Sequence, residues 1–570
     1  MNLNVDEIFM MDSMTDSSPH DFQNFRLQDV DNKIRALKLL RNTLVPVAGL
    51  PTEILSIIFP LLHIPSTPFF LSHVCHRWRE ISLNLPCLWS YINLTQLTPA
   101  CAAEMLTRAK ITPLQLKAAV KKRNIENVTG QIEAHIHHTR HLSISANPQN
   151  LEWMFGRLIS SAPSLEQLSI CSHLTNDTVL VPDNLFDGIA PNLSYLHLNK
   201  CGISWVSPLL KGLRDLKLFA FPRSGRTTLN VWLDALSQMP QLARLSLHDD
   251  IPIHSVTLPP MEPGLAVVLS SLRELDILAS TPDCLVVLAH LILPALNRLC
   301  VNAKTTHRTV TSQLISCVAR NAYGPQDTEA LQSLFIGDLG YGAAAVAWTV
   351  PWQDDTYDGS RFSVDLPDGI RLARVAFGII HPGLQSMMAG THHELLAALP
   401  LNHIVSLTIK DRALYRCMRA WRDYASRWNK LQRVRLFSSA VPSFQKMLED
   451  APRGDPLLPS LEELVLINVS LTEQKVYYLY NTLSKLVELE NPITTLDLRT
   501  CIAHDWAVQL LSGIVVNVLG PTKRGSGYSY GGRRGRNGVL EEGDHGSDET
   551  SLPLGSWYTE DEDDSDSDSD

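Results

Sequence analysis

No two of the ten cysteines stand at C-x-x-C spacing: Cys75, Cys87, Cys101, Cys171, Cys201, Cys284, Cys300, Cys317, Cys417 and Cys501 are scattered. That removes a zinc-finger or thioredoxin-type reading, and most of these thiols sit in apolar text, as free cysteines of a reducing compartment do. A Walker loop and an H-E-x-x-H string are missing too, so phosphate cradling and zinc hydrolysis lack an anchor. GDLGYG (337–342) is no dinucleotide fingerprint, because no strand-to-helix context surrounds it. No enzyme activity is expected, and no cofactor or metal. The start MNLNVDEIFMMDSM lacks the basic and apolar segments of a signal peptide. The longest late apolar run, Trp506 to Leu519, is too short and interrupted to span a bilayer. Sequons at Asn93, Asn127, Asn176, Asn192 and Asn468 are then accidental, and a cytoplasmic or nuclear location is expected. Lys and Arg stop at Arg536, beyond which thirteen Asp and Glu fall; without them the formal charge of −10 becomes +3. The body is therefore near neutral and offers no electrostatic case for nucleic acid.

What the chain does contain is concentrated at residues 50–89, LPTEILSIIFPLLHIPSTPFFLSHVCHRWREISLNLPCLW. Pro51 fits a first helical position, where its missing N–H costs nothing, and Glu53 favours the helix dipole. Leu50, Ile54, Ile57, Ile58, Leu61 and Leu62 form one apolar stripe and Leu55 and Phe59 a second, so this short helix should bury two faces. Pro60 should bend or end it near Phe59. Ser66 or Thr67 can cap a second helix opened by Pro68, with Leu71, Val74, Trp78 and Ile81 on one face. Pro86 then opens a turn presenting Leu88 and Trp89. About forty residues are too few to hide this many apolar side chains. The surplus points to docking on another polypeptide.

In these residues the chain resembles an F-box, LPTEIL…IIF…L…LSHVCHRWREI…LPCLW, of the kind expanded in mushroom-forming fungi. The preface DNKIRALKLLRNTLVPV, with Ile34, Leu37, Leu40 and Leu44 at helical spacing, is similar to the helix those proteins place before the box; together the resemblance spans about residues 31–94. It implies a three-helix module that docks on a Skp-type adaptor and, through it, a cullin–RING ubiquitin ligase. Leu50, Pro51, Ile54, Leu55, Ile58 and Phe59 would then face the adaptor, while Val74, Trp78, Ile81, Leu88 and Trp89 would form the box core.

A second pattern recurs from 131 to 512: PSLEQLSI (163–170), PNLSYLHL (191–198), LRDLKL (213–218), PQLARLSL (240–247), SSLRELDI (270–277), PALNRLCV (294–301), and later LQSLFI, HIVSLTI, KLQRVRL, PSLEELVL and PITTLDL. Most spacings suit one strand plus one helix per unit. The alternation at each end aims two side chains inward from a short strand, and helical connectors stand at 151–161, 231–239 and 444–451. The expected fold is α/β: an F-box followed by an irregular leucine-rich-repeat solenoid, a horseshoe whose parallel strands line a concave face. An asparagine ladder is mostly missing, with only Asn199 and Asn468 as candidates, and 337–400 reads as an insertion. The expected boundaries are a disordered 1–30, a helix at 31–45, the box at 46–94, a linker with a first helical segment at 95–130, repeats at 131–512 and a disordered tail at 513–570.

F-box proteins commonly carry such a solenoid for substrate capture, so this chain resembles a substrate-recognition subunit of an SCF-type ubiquitin ligase. Glu166, Gln167, Ser194, Tyr195, Arg214, Asp215, Arg273, Glu274, Asn297 and Arg298 are the candidate target-facing residues. The alternative is a repeat scaffold without ligase attachment, in which box-like helices cap the solenoid; capping would bury Leu55 and Phe59, and docking would leave them open. A third reading places the Arg/Gly text TKRGSGYSYGGRRGRNG on RNA, against the plainer reading of a flexible linker. The cluster EAHIHHTRH offers His135, His137, His138 and His141 without a second ligand pair, and its alternation suits a surface strand. The end, TEDEDDSDSDSD, repels itself and stays unfolded, with Ser565, Ser567 and Ser569 placed as acidic-directed kinase targets.

Overall fold

The computed structural model describes residues 19–62, 67–173, 179–249, 251–253, 266–304, 308–322, 331–338, 342–349, 375–380, 394, 396–399, 401–410, 427–438, 440–449, 458–488 and 491–521. Ser66, Cys417, Asn176, the Arg/Gly text and the acidic tail lie outside these residues. The chain forms two units, one ending at Ser143 and one beginning at Ile144.

The first unit opens with α1 (Pro19–Thr43). Residues 19–30, expected to be disordered, are thus helical: Leu27 and Val30 carry the spacing of Ile34 and Leu37 backwards. In the box, Pro51 caps α2 (Thr52–Ile58), and Phe59–Leu61 tighten into a 3-10 turn. Pro60 causes this, since it has no N–H to give the turn before it. The expected second helix is broken in two, α3 (Thr67–Ser72) and α4 (His76–Leu83), by Cys75 in an extended conformation at φ −158°, ψ 170°. Pro86–Trp89 form another 3-10 turn.

Beyond the box, β1 (Tyr91–Asn93), α5 (Pro99–Ala109) and β2 (Leu114–Val120) make a parallel crossover with Ile92 opposite Leu116. Much of the segment expected as a linker therefore has a core of its own. Thr98 Oγ1 caps α5 by accepting from the Cys101 N–H at 3.3 Å, and Ala102, Met105, Leu106 and Ala109 are buried. Then come α6 (Ile125–His135), a 3-10 turn at Ile136–His138, and β3 (Thr139–Ala146). His135, His137 and His138 are thus a helix end and a turn; the strand their alternation suggests begins at Thr139.

The second unit is built on a parallel ladder. After α7 (Pro148–Phe155) come β4 (Gln167–Ser172), β5 (Tyr195–Asn199), β6 (Asp215–Phe219), α8 (Leu229–Ser237), β7 (Arg244–His248), β8 (Glu274–Ser280), α9 (Thr281–His290) and β9 (Arg298–Lys304). Each strand pairs in parallel with the next, so the repeated text stacks in register: Leu168, Leu196, Leu216, Leu245, Leu275 and Leu299 form one column. Ile170, Leu198, Leu218, Leu247, Ile277 and Val301 form another, and all twelve are buried. Behind them the first apolar residue of each motif (Leu165, Leu193, Leu213, Leu242, Leu272, Leu296) is buried as well. Three core residues per motif follow from period-two alternation joined to one preceding turn. The residue after a strand repeatedly takes a left-handed conformation: Lys200, Ala220 and Asp249 at φ 54°, 47° and 70°.

Within the expected insertion, the described residues 337–338, 342–348 and 375–380 are strand. After α10 (Arg308–Ala322), β10 (Ser333–Asp338), β11 (Gly342–Trp348) and β12 (Val375–Ile380) run as an antiparallel meander. It is laid down backwards. β12 lies parallel to β9, while β10 lies parallel to β13 (Ser406–Ile409). Among the described residues β11 alone runs antiparallel, and both of its edges are paired with strands that continue the ladder. β14 (Arg433–Phe437), α11 (Val441–Glu449), β15 (Glu463–Ile467), α12 (Glu473–Glu488), β16 (Thr495–Asp497), α13 (Asp505–Leu511) and β17 (Asn517–Leu519) complete it, again in parallel. β17 lies past the expected end at 512. Among the described residues no helix is long and apolar enough to cross a membrane. Asn199 lies on β5, and Asn468 occupies a left-handed turn at φ 54°. The described cysteines are free thiols, of which Cys201, Cys284, Cys300 and Cys501 are buried. Burial pushes Cys201 and Cys284 up to about 12.

Candidate functional site

Two exposed faces stand out, one in each unit. In the box, the two apolar stripes of α2 part company. Leu55 and Phe59 are fully buried, with the Phe59 ring 4.9 Å from Trp78 at 53°. Both were expected to face an adaptor; both are buried, and Phe59 fastens α2 to α4, because a short helix holds its place only by giving one stripe to its own bundle. Capping would also bury both, yet for Phe59 it is Trp78 of the same box that packs against the ring. The other stripe stays open: Ile54 is 41% exposed and Ile58 37%, with Ile57, Leu61 and Leu62 exposed beside them. Pro51 is exposed and Leu50 half-buried. The Leu50 carbonyl accepts from Arg77 Nη2 at 2.5 Å, which ties α4 to the start of α2.

The expected core residues divide as well. Ile81, Leu88 and Trp89 are buried and Trp78 is half-buried. Val74, expected in the core, is 57% exposed, because the break between α3 and α4 puts it in a turn and off the helix face. Trp89 organises the far end. Its Nε1 donates to the Ser82 carbonyl at 2.8 Å, Phe69 meets it edge-on at 5.9 Å, and the Arg108 guanidinium lies 4.5 Å above its ring. The box is a pinned scaffold with an apolar ridge, Ile54–Leu62, turned outward.

In the second unit the polar positions between the buried columns also stack. Gln167, Tyr195, Asp215, Arg244, Glu274 and Arg298 make one row, and Ser169, His197, Lys217, Ser246, Asp276 and Cys300 the next. Of the expected target-facing residues, Gln167, Tyr195, Asp215, Glu274 and Arg298 take this strand face, and Glu166, Ser194, Arg214, Arg273 and Asn297 precede the strands. The charges pair along the row: Arg244 Nε donates to the buried Asp215 at 2.6 Å, and Arg298 lies 3.8 Å from Glu274.

Sequence reasoning missed the middle of this face. Phe219 lies between two histidines, its ring 5.1 Å from His197 and 4.4 Å from His248, and Lys217 Nζ sits 5.4 Å from the Tyr195 ring. His248 Nε2 is 3.0 Å from Asp276 Oδ2. Burial pushes His197 down to about 4, aided by the Lys217 charge, so it is neutral at physiological pH. Burial alone would raise Asp276, but the His248 ring 3.0 Å away, with Arg298, holds its carboxyl below the usual range. Reading the residue inside each L-x-L and the two that follow it would have found all of these. A half-buried row of Tyr, His and Phe with internally paired charges is suited to bind a protein surface.

His135 Nδ1 and His138 Nε2 are 3.1 Å apart, and both rings are shifted down by burial and then by neighbouring histidine charge. Among the described residues no group of three or more His, Cys, Asp or Glu is placed to hold a metal. Gly527-Tyr528-Ser529-Tyr530-Gly531 has the spelling of a nucleophile elbow, and it lies outside the described residues.

Residues 47–95 match the F-box-like family model, so the pinned bundle and its ridge are an F-box-like domain. No curated protein matches the chain. An F-box-like domain suggests an F-box protein, typically a substrate adaptor of SCF ubiquitin ligases, and such domains typically bind Skp-type adaptors.

Proposed function

We propose that this chain is the substrate-recognition subunit of an SCF-type ubiquitin ligase, working in the cytoplasm, the nucleus or both. Its box docks a Skp-type adaptor through the Ile54–Leu62 ridge, and the adaptor links it to a cullin. The ladder of the second unit, read as an irregular leucine-rich-repeat solenoid, binds the target protein on the face around Phe219. The chain itself performs no chemistry; it holds the target near the transferring subunits, and proximity supplies the rate. One observation supports this most: an F-box-like domain that buries Leu55 and Phe59 for its own stability still exposes a second apolar stripe. The register of the Leu168 and Ile170 columns supports the solenoid reading.

The test is adaptor and cullin capture by the tagged chain. Leu50→Asp with Ile54→Asp should abolish both while leaving the fold intact. Undiminished capture by the folded double variant would refute the proposal.

A further inference from the structure

The box accounts for the ridge on α2 but not for the helix before it. α1 keeps Leu27, Val30, Ile34 and Leu37 exposed, and Leu44 just past its end. These positions fall at alternating steps of three and four, which places them on one seam as a and d residues of a heptad, with Arg41 at the remaining a position. A seam of leucine, isoleucine and valine that stays exposed among the described residues needs a partner. Charge decides which one.

We infer that α1 pairs with α1 of a second copy of this chain as an antiparallel two-helix coiled coil, with a two-fold axis beside Ile34 and Leu37. In that arrangement Leu27 meets Leu44, Val30 meets the stem of Arg41, and Ile34 meets Leu37 of the second copy. The flanking pair is Asp31 with Lys38, formed twice by symmetry, and Lys33 faces Leu40, so no like charges meet. The parallel arrangement is worse on two counts. It sets Lys33 against Lys38 of the second copy and stacks Arg41 on Arg41 within the seam. Opposite-charge flanks therefore select both the occupant and its direction. The seam is short, so the dimer is concentration-dependent. Adaptor docking through α2 is not required for this pairing.

Sedimentation of the full chain across roughly 1–100 µM, where a short seam is expected to associate, tests the dimer. The wild type should shift from monomer to dimer. Ile34→Glu with Leu37→Glu should stay monomeric with an unchanged melting temperature, since both side chains are exposed. Lys38→Asp should weaken the dimer several-fold by facing Asp31, and Asp31→Lys with Lys38→Asp should restore it. A monomeric wild type overturns the inference, as does a dimer that survives Ile34→Glu with Leu37→Glu. Tightening by Lys38→Asp overturns the antiparallel arrangement in favour of the parallel one. A monomer whose α1 variants instead lose affinity for purified adaptor would give that seam to the adaptor. Adaptor capture by monomeric Ile34→Glu with Leu37→Glu separates the fate of this pairing from that of docking through α2.

Discussion

Phe59→Ala should unfold the box, whereas Ile54→Glu, on the same helix, should not. Phe59 is 1% exposed and its ring lies tilted 4.9 Å from Trp78, so truncation removes a fully buried aromatic and one ring pair. Such changes cost about 3–5 kcal/mol, a large share of what a small module has. Ile54 is 41% exposed, and its replacement by Glu forfeits no more than about 1 kcal/mol of burial. Hydrogen exchange at the amides of α2 and α4 reads the difference locally, which a global melt dominated by the larger second unit would hide. Phe59→Ala should speed exchange in both helices by about two orders of magnitude or more, and Ile54→Glu should leave α4 as it was. Unchanged protection of α4 in Phe59→Ala would show that the inward stripe does not hold the box together.

Other outcomes follow from the second unit. Ala220 sits at φ 47° after β6, so Ala220→Gly should raise stability by about 0.5–1 kcal/mol in denaturant titration. Gly202→Ala should do the opposite by about 1–3 kcal/mol, because a Cβ there would stand 2.6 Å from Leu180 Cδ2 and 3.0 Å from Pro222 Cγ. The folded value of His197, about 4, lies below the ordinary 6.5. The unfolded chain therefore takes up that proton first, and this contribution to stability is complete above pH 6.5 and declines as pH falls toward 4. His197→Gln should flatten that part of the stability–pH curve; an unaltered slope would show that His197 is not held neutral by its surroundings.

What could be read from the sequence was what repeats or turns locally. The L-x-x-L-x-L text located β4 to β9 and their three core residues, since period two fixes which side chains go inward. Pro60 correctly ended α2. What failed depended on partners distant along the chain. The spacing of Leu55 and Phe59 revealed a second stripe but not that Trp78 would pack against Phe59. Leu71 to Ile81 kept helical spacing through a break at Cys75, so Val74 was assigned to a face that does not exist there. The run after 337 was recognisable as an interruption; that β12 and not β10 would lie beside β9 rests on pairing between strands far apart in sequence. Phe219 and His248 fall just after the apolar motif, where a pattern search stops looking.

The central claim, that the box keeps an apolar ridge open for an adaptor, is tested most directly by hydrogen exchange of the full chain with and without purified Skp-type adaptor. Binding should slow exchange across Thr52–Leu62 and leave β4 to β9 unchanged. No protection in that stretch at saturating adaptor, or protection confined to the ladder, would contradict it.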